Sequence, residues 1–238
     1  MKISVCIPCF KQAEYLPHAI ESVLSQTVKP HEIIVVVDGS PDKSLEIAKS
    51  YESKGVQVVS QANKGLASAR NTGLMNSTGD FFYPLDADDM MLENCIERVS
   101  QTIEETDADV IAPSFKCFGL HNDSVVLMQN PTLNDFKPVN GFPMNRIGYF
   151  SAIRKSALLE IGGYSPKMTF GWEDYHLWIN LLTRGKRIVT IPKILILYRT
   201  KESSMIHEAN AHAGELMAQI YKDFPQIKCI KDKKCQKK

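Results

Sequence analysis

Asp86-Ala87-Asp88, with Asp89 directly behind, places closely spaced carboxylates straight after the apolar run Phe81 to Leu85. Carboxylates one residue apart can both face a hard divalent cation, Mg²⁺ or Mn²⁺, that the phosphates of a ligand also hold. A buried strand ending in such acids delivers them to the carboxyl edge of a sheet, where open α/β sheets bind ligands. The same residues also read as a polar turn capping a helix that starts near Met90, since Asp is a favoured N-cap. Other reactive residue types fall at similar places. Pro8-Cys9 follows the first apolar run, and Asp38-Gly39-Ser40 follows the second. Arg70 lies among the small residues Gly65, Ala67, Ser68 and Ala69. Acids at two strand ends with an arginine nearby suit a ligand that offers a base or sugar to grip and a diphosphate to neutralise. Each feature has a plainer alternative: an Asx turn at Asp38, and for Arg70 a surface bridge to an acid. Glu173-Asp174 opens a later helix, where a helix N-terminus alone would favour both acids. Beside Phe170, Trp172 and Tyr175, one of the two acids could instead act as a general base on an attacking hydroxyl. His176 reads as a packing residue.

These residues need a scaffold that brings strand ends together, and the first half of the chain supplies its pattern. Apolar runs at Ile3 to Ile7 (stopped by Pro8), Glu32 to Val37, Val56 to Val59, Phe81 to Leu85 and Asp109 to Ala112 read as strands. Amphipathic stretches between them, Tyr15 to Gln26, the segment carrying Leu45 and Ala48, Gly65 to Met75 and Met91 to Ile103, read as helices. Continuous apolar strands alternating with such helices predict a mostly parallel, Rossmann-like sheet covered on both faces. Right-handed crossovers then put every strand-to-helix loop on one edge. Beyond residue 113 the rhythm changes. Phe115 to Met128 reads as an excursion with hairpin character, followed by a loop-rich stretch with three prolines to Pro143. Tyr149 to Ile153 is expected as a strand, Lys155 to Glu160 as a helix, and Gly162-Gly163 as a turn needing positive φ or close backbone approach. A helix over Trp172 to Thr183, two strands broken at Pro192 and a final helix from Met205 to Tyr221 complete the reading. The expected organisation is one domain over 1–222, a ligand-binding half at 1–112 and a completing half at 113–222, with a basic tail at 223–238.

Bulk properties narrow the function classes. The 238 residues are 44% hydrophobic and 23% charged, ordinary values for a folded chain. A net charge of +1 gives no nucleic-acid footprint, although Lys228 to Lys238 holds six lysines and one acid and could touch anionic lipid. The start has no signal-peptide pattern, and no apolar run is long enough to span a bilayer. The expected location is therefore cytoplasmic, with peripheral contact at the inner membrane face. Six scattered cysteines fit a reduced compartment, and Cys6-x-x-Cys9 lacks the second pair that a metal site would need. Gly-x-Gly-x-x-Gly and Walker patterns are absent, which argues against dinucleotide oxidoreductases and ATPases.

Taken in order, the motifs resemble those of family 2 nucleotide-sugar glycosyltransferases, which have the GT-A fold. The resemblance is carried by Val5-Cys6-Ile7-Pro8, Glu32 through Asp38-Gly39-Ser40, Asn63-Lys64-Gly65 through Arg70-Asn71-Thr72-Gly73, and Gly79 through Asp86-Ala87-Asp88-Asp89. Gly162-Gly163-Tyr164, Gly171-Trp172-Glu173-Asp174-Tyr175 and Tyr198-Arg199 continue it to about residue 200. It implies an inverting transfer of sugar from a nucleotide-sugar donor, a UDP-sugar, to a glycan or lipid-linked acceptor in surface or extracellular polysaccharide assembly. It further implies that Pro8, Asp38, Arg70, Asp86 and Ala87 bind the nucleotide sugar. Asp88 would hold Mn²⁺ or Mg²⁺ against the leaving diphosphate, and Asp174 would be the catalytic base. Gly39, Trp172, Glu173 and Lys201 would support them. Two departures stand out. Val37 replaces the first of the paired acids often found before Gly-Ser, and Lys201 stands where the family often has a histidine, with His207 nearby. A sugar-phosphate nucleotidyltransferase would also use strand-end carboxylates and a metal, but would be expected to show a glycine- and basic-rich first loop. Pro8-Cys9-Phe10-Lys11-Gln12 does not supply one. A non-catalytic nucleotide- or glycan-binding relative is the remaining alternative.

Overall fold

The structure is a computed structural model that describes residues 1–120, 124–139, 142–202 and 205–227. Of the expected basic tail at 223–238, residues 223–227 are described, with Phe224 and Ile227 buried in the core, and the stretch from 228 onward lies outside the described residues. In chain order the elements are β1 (Ile3–Cys9), α1 (Leu16–Leu24), β2 (Glu32–Asp38), α2 (Ser44–Ser50), β3 (Val56–Gln61), α3 (Leu66–Asn76), β4 (Phe81–Pro84), β5 (Met90–Met91) and α4 (Cys95–Thr106). They continue with β6 (Val110–Gly119), β7 (Val125–Val126), β8 (Ala152–Arg154), α5 (Lys155–Glu160), α6 (Glu173–Thr183), β9 (Ile188–Thr200), α7 (Met205–Ala211) and α8 (Ala213–Asp223).

The strands form one sheet in the order β3-β2-β1-β4-β8-β6-β9-β5, with β7 paired to β6. Strand alternation divides its side chains between two cores. Val5 and Ile7 of β1, Val35 and Val37 of β2, and Phe81 and Tyr83 of β4 face α1, α2 and α4. Cys6, Ile34, Val36 and Phe82 face the other way, toward α3, α5, α6 and α8. Strands buried on both faces are apolar at nearly every position, and this is why β1, β2 and β4 read so clearly. Cys6 and Cys9 point to opposite faces, which separates their thiols.

The expectation of a mostly parallel sheet is corrected: the sheet is mixed. β1, β2, β3 and β4 are parallel neighbours, but β8 runs antiparallel between β4 and β6. β5 and β7 are also antiparallel to their partners. These reversed strands are only two or three residues long, too short to carry a period in the sequence. β8 is antiparallel to both neighbours, so β4 and β6 share a direction, and β9 is parallel to β6. The carboxyl ends of β1, β2, β3, β4, β6 and β9 therefore lie on one edge, as a parallel sheet would have placed them.

Several local expectations shift too. β1 runs through Pro8 to Cys9, and this is tolerated because its pairing with β4 ends at Cys6 and leaves Pro8 a neighbour only in β2. Met90 and Met91 form a strand, and the helix after them starts at Cys95. The two strands expected around Pro192 are one strand, β9, whose register against β6 shifts opposite Pro113 and Ser114. The excursion after β6 is a hairpin through β7. Tyr149 lies outside β8, and the final helix divides at His212 into α7 and α8.

Candidate active site at the carboxyl edge of the sheet

Arg70 is the centre of the site. It sits on α3 with 1% of its surface exposed, because α3 packs its small residues tightly on β1 and β2. A Cβ on Gly73 would fall 2.1 Å from the Cys6 sulfur. A buried guanidinium needs partners on its planar fork. Arg70 Nη2 donates to Asp86 Oδ1 at 2.8 Å and Nη1 to Glu173 Oε1 at 2.5 Å. The Tyr149 and Tyr164 rings lie 4.7 and 5.4 Å from its guanidinium carbon, at cation–π distance. Burial works against the charge, but Asp86 and Glu173 outweigh it and hold Arg70 firmly protonated. The network joins α3, the turn after β4 and the start of α6, residues far apart in sequence.

The acids after β4 have separate partners. Burial lifts the Asp86 carboxyl to about 6 against the pull of Arg70, and the Asp86 N–H donates to the Tyr149 hydroxyl at 3.1 Å. Asp89 is buried; it accepts from the Tyr149 hydroxyl and, at 2.7 Å, from the Arg199 N–H. Burial and the charges of Asp88 and Asp86 raise its pKa well above the carboxylate range. Asp88 is half-buried and ion-paired to the Lys201 ammonium at 2.5 Å. Ala87 is 2% exposed with its methyl in the core, so only its backbone can reach a ligand.

At the end of β2 the Asp38 carboxylate is buried and shapes the next loop. It accepts from Gln61 Nε2 at 2.7 Å and from the N–H groups of Lys64 and Gly65 at 2.9 and 2.8 Å. Gly39 allows this approach: its φ is +62°, and a Cβ there would lie 2.4 Å from the Asn63 nitrogen. Pro8 is buried beside these residues at the end of β1.

The tandem acids of α6 face different surroundings. Gly171 and Trp172 turn the chain into the helix with φ of +125° and +59°. Positive φ is rare for so bulky a residue. Glu173 points inward to Arg70. Asp174 is partly exposed; its Oδ2 accepts from Asn145 Nδ2 at 2.7 Å and its Oδ1 from the Tyr175 N–H at 2.7 Å. Burial, then the charge of Glu173, raises the Asp174 pKa. Arg70, Asp86, Tyr149, Trp172, Glu173 and Asp174 line a common cavity of about 300 Å³. Pro8, Asp38, Gly39, Asp88 and Lys201 lie at the same sheet edge outside that lining. His207 is exposed on α7 and is not part of the lining.

Asn145, Tyr149 and Arg199 escape sequence reasoning as site residues. Asn145 lies in the loop-rich stretch before β8, where no period marks it, and Tyr149 was expected only as the first residue of a strand. Arg199 had a signal in Tyr198-Arg199, but not its specific partner.

The sequence model described as Glycosyl transferase family 2 matches residues 4–175. The chain belongs to that family. Glycosyltransferase GlyG of Streptococcus pneumoniae serotype 4 is 39% identical over 116 residues, covering 48% of this chain and 38% of that protein. An uncharacterized glycosyltransferase of Haemophilus influenzae is 27% identical over 232 residues, covering 93% of this chain and 85% of its own. The matches to GlyG, to EpsJ of Bacillus subtilis and to GlyA of S. pneumoniae span only 38%, 33% and 17% of those proteins. Among solved structures, S. aureus TarS 1–349 in complex with UDP-GlcNAc superposes with a TM-score of 0.72 at 19% identity, covering 94% of this chain and 73% of that one. That likeness shows a GT-A-like fold. Among the described residues no helix is long and apolar enough to cross a membrane.

Family membership implies a divalent-metal mechanism in general. Among the described residues no group of three or more His, Cys, Asp or Glu side chains could hold an ion. Asp86 is committed to Arg70, Asp89 to Tyr149 and Arg199, and Asp88 to an ammonium. A divalent cation is best served by carboxylates that still need a positive partner. The side chains present do not fit one.

Proposed function

We propose that this chain transfers a sugar from a nucleotide-sugar donor, a UDP-sugar, to a glycan or lipid-linked hydroxyl with inversion, in surface or extracellular polysaccharide assembly. The observation that carries the reading is Asp174 at a cavity whose other acids, Asp86 and Glu173, are already committed to Arg70. The UDP and UDP-GlcNAc named in the TarS complexes support the donor class. In the proposed reaction the acceptor oxygen bonds to the anomeric carbon as the bond to the diphosphate oxygen breaks. Asp174 takes the hydroxyl proton, and the electron pair leaves on the diphosphate. A single displacement needs one base and no protein nucleophile. Asp38 and Gly39 shape the loop that carries Lys64 and Gly65, and with Pro8 and the backbone at Ala87 they form the nucleotide side. Arg70 holds Asp86 in place from below.

Thermal shift against a panel of nucleotide sugars, followed by product analysis with candidate acceptors, tests this. One uridine sugar should raise Tm and be consumed. Binding without turnover or hydrolysis under any condition would support a non-catalytic relative instead.

A further inference from the structure

Each acid after β4 is partnered, but the Asp88–Lys201 pair differs from the others. Its side chains are 17% and 25% exposed, whereas Arg70 is sealed beneath Asp86. Lys201 directly follows β9, whose last residue, Thr200, pairs with Gly119, so the strand delivers the lysine to the edge where β1 and β4 also end. Gln12 and Tyr15, from the segment after β1, embrace it. The ammonium lies 3.4 Å from Gln12 Oε1 and 5.2 Å from the Tyr15 ring centre. Arg199 braces the same turn: its Nε donates to the Asp88 carbonyl at 2.9 Å, and its guanidinium lies over Tyr15 and Phe118. A lysine ammonium has three donors. Asp88 and Gln12 account for two, so among the described residues one remains for an incoming oxygen.

We propose that the Lys201 ammonium, positioned on Asp88, is the built-in cation that neutralises the donor's diphosphate, so that nucleoside-diphosphate binding does not require a divalent metal ion. The proposal rests on the donor reading given above. Three arguments support it. The ammonium occupies the carboxylate that a metal would need, and a second cation there would be repelled by it. Lysine is a compact point charge suited to phosphate oxygens. The residues around it come from the ends of β1 and β4, which the donor reading assigns to the nucleotide side, and from β9. Asp88 is then a positioning residue, which holds the ammonium in register before the donor arrives.

The test is calorimetric binding of UDP in EDTA and in Mn²⁺ at fixed ionic strength, on the full chain. Wild type should bind with affinities that differ by less than about threefold between the two conditions. Lys201→Met should weaken binding in EDTA by about tenfold or more, the loss of one charge-assisted contact. Mn²⁺ should restore part of that loss once Asp88 is free. Lys201→His should convert the protein to one whose UDP affinity rises about tenfold or more with Mn²⁺. The side chain is partly exposed, and circular dichroism with a second variant, Lys201→Gln, checks that folding is intact. Wild-type binding that appears only with Mn²⁺ overturns the proposal, as does a folded Lys201→Met protein that binds like wild type in EDTA. If wild type binds none of UDP, GDP, ADP and dTDP in either condition, the donor reading has failed and the proposal falls with it.

Discussion

Glu173 and Asp174 are adjacent acids with opposite surroundings, and the proposed role of Asp174 as the base rests on this difference. Glu173 cannot leave Arg70 without stripping a buried guanidinium of one of its two carboxylate partners, a loss of several kcal/mol. Asp174 is held by Asn145 and its own turn, which leaves it able to accept a proton. Asp174→Asn keeps the Asn145 neighbour and the cavity shape but removes the base. Transfer should fall by about 10²–10⁴-fold, with donor affinity changed little; near-normal kcat would reject Asp174. The pH profile gives a second reading. A base works when deprotonated, and the Asp174 pKa is raised by burial and by Glu173. Activity should therefore fall as pH drops through a limb well above the ordinary carboxyl range. Asn145 donates to the carboxylate and opposes that rise, so Asn145→Ala should move the limb to higher pH and lower kcat by about tenfold. A purely structural asparagine would change stability and leave the limb in place. The sequence announces Asp174 and Arg70 through clustered residue types, but not their relation. That Arg70 joins Asp86 to Glu173 depends on contacts across 16 and 103 residues, which no local spacing encodes.

At the scale of elements, the site depends on how closely α3 lies against the sheet. Arg70 reaches both acids because Gly73, one turn further on, lets the helix approach the Cys6 side chain. Gly73→Ala would place a methyl 2.1 Å from the sulfur, and the helix would have to move out. Overpacking of this kind costs about 1–3 kcal/mol, and denaturant unfolding should show that loss together with weaker UDP binding. Adding Cys6→Ala removes the sulfur, although the Cys6 Cβ would still lie 3.2 Å away, so the double variant should recover part of both. Additive losses would show that the cost of Gly73→Ala does not arise at the Cys6 sulfur; helix propensity by itself favours Ala. The strands that carry the site were legible because burial on both faces forces an unbroken apolar run. β5 was not, and for β7 and β8 only a hairpin-like excursion and an offset strand could be read, since two or three residues cannot display alternation and their pairing is set by the neighbours they fall between. A different signal hid the unity of β9. Pro192 reads as a break, yet a register shift against β6 absorbs it.

On the scale of the whole molecule, the two halves read from the sequence are interlocked. β8 pairs directly with β4 through Phe81 with Arg154 and Phe82 with Ile153, so the second half closes the sheet that the first half begins. The cavity takes Arg70 and Asp86 from one half and Tyr149 and Asp174 from the other. The core on the α3 face combines Cys6, Val36 and Phe82 with Trp178, Leu181 and Ile220, and it continues through Phe224 and Ile227. A first half alone would expose that apolar face and leave the edge of β4 unpaired, conditions that favour aggregation over folding. Thermal unfolding of the chain should accordingly be one cooperative transition, with equal calorimetric and van't Hoff enthalpies. Because the ligand would bind only the joined halves, saturating UDP should shift that single transition upward as a unit. Two resolved transitions, with UDP moving only the first-half one, would mean that the donor side folds and binds by itself. The Arg70 bridge to Glu173 would then be an interface between domains, and the committed state of Glu173, on which the choice of Asp174 depends, would no longer follow from the fold.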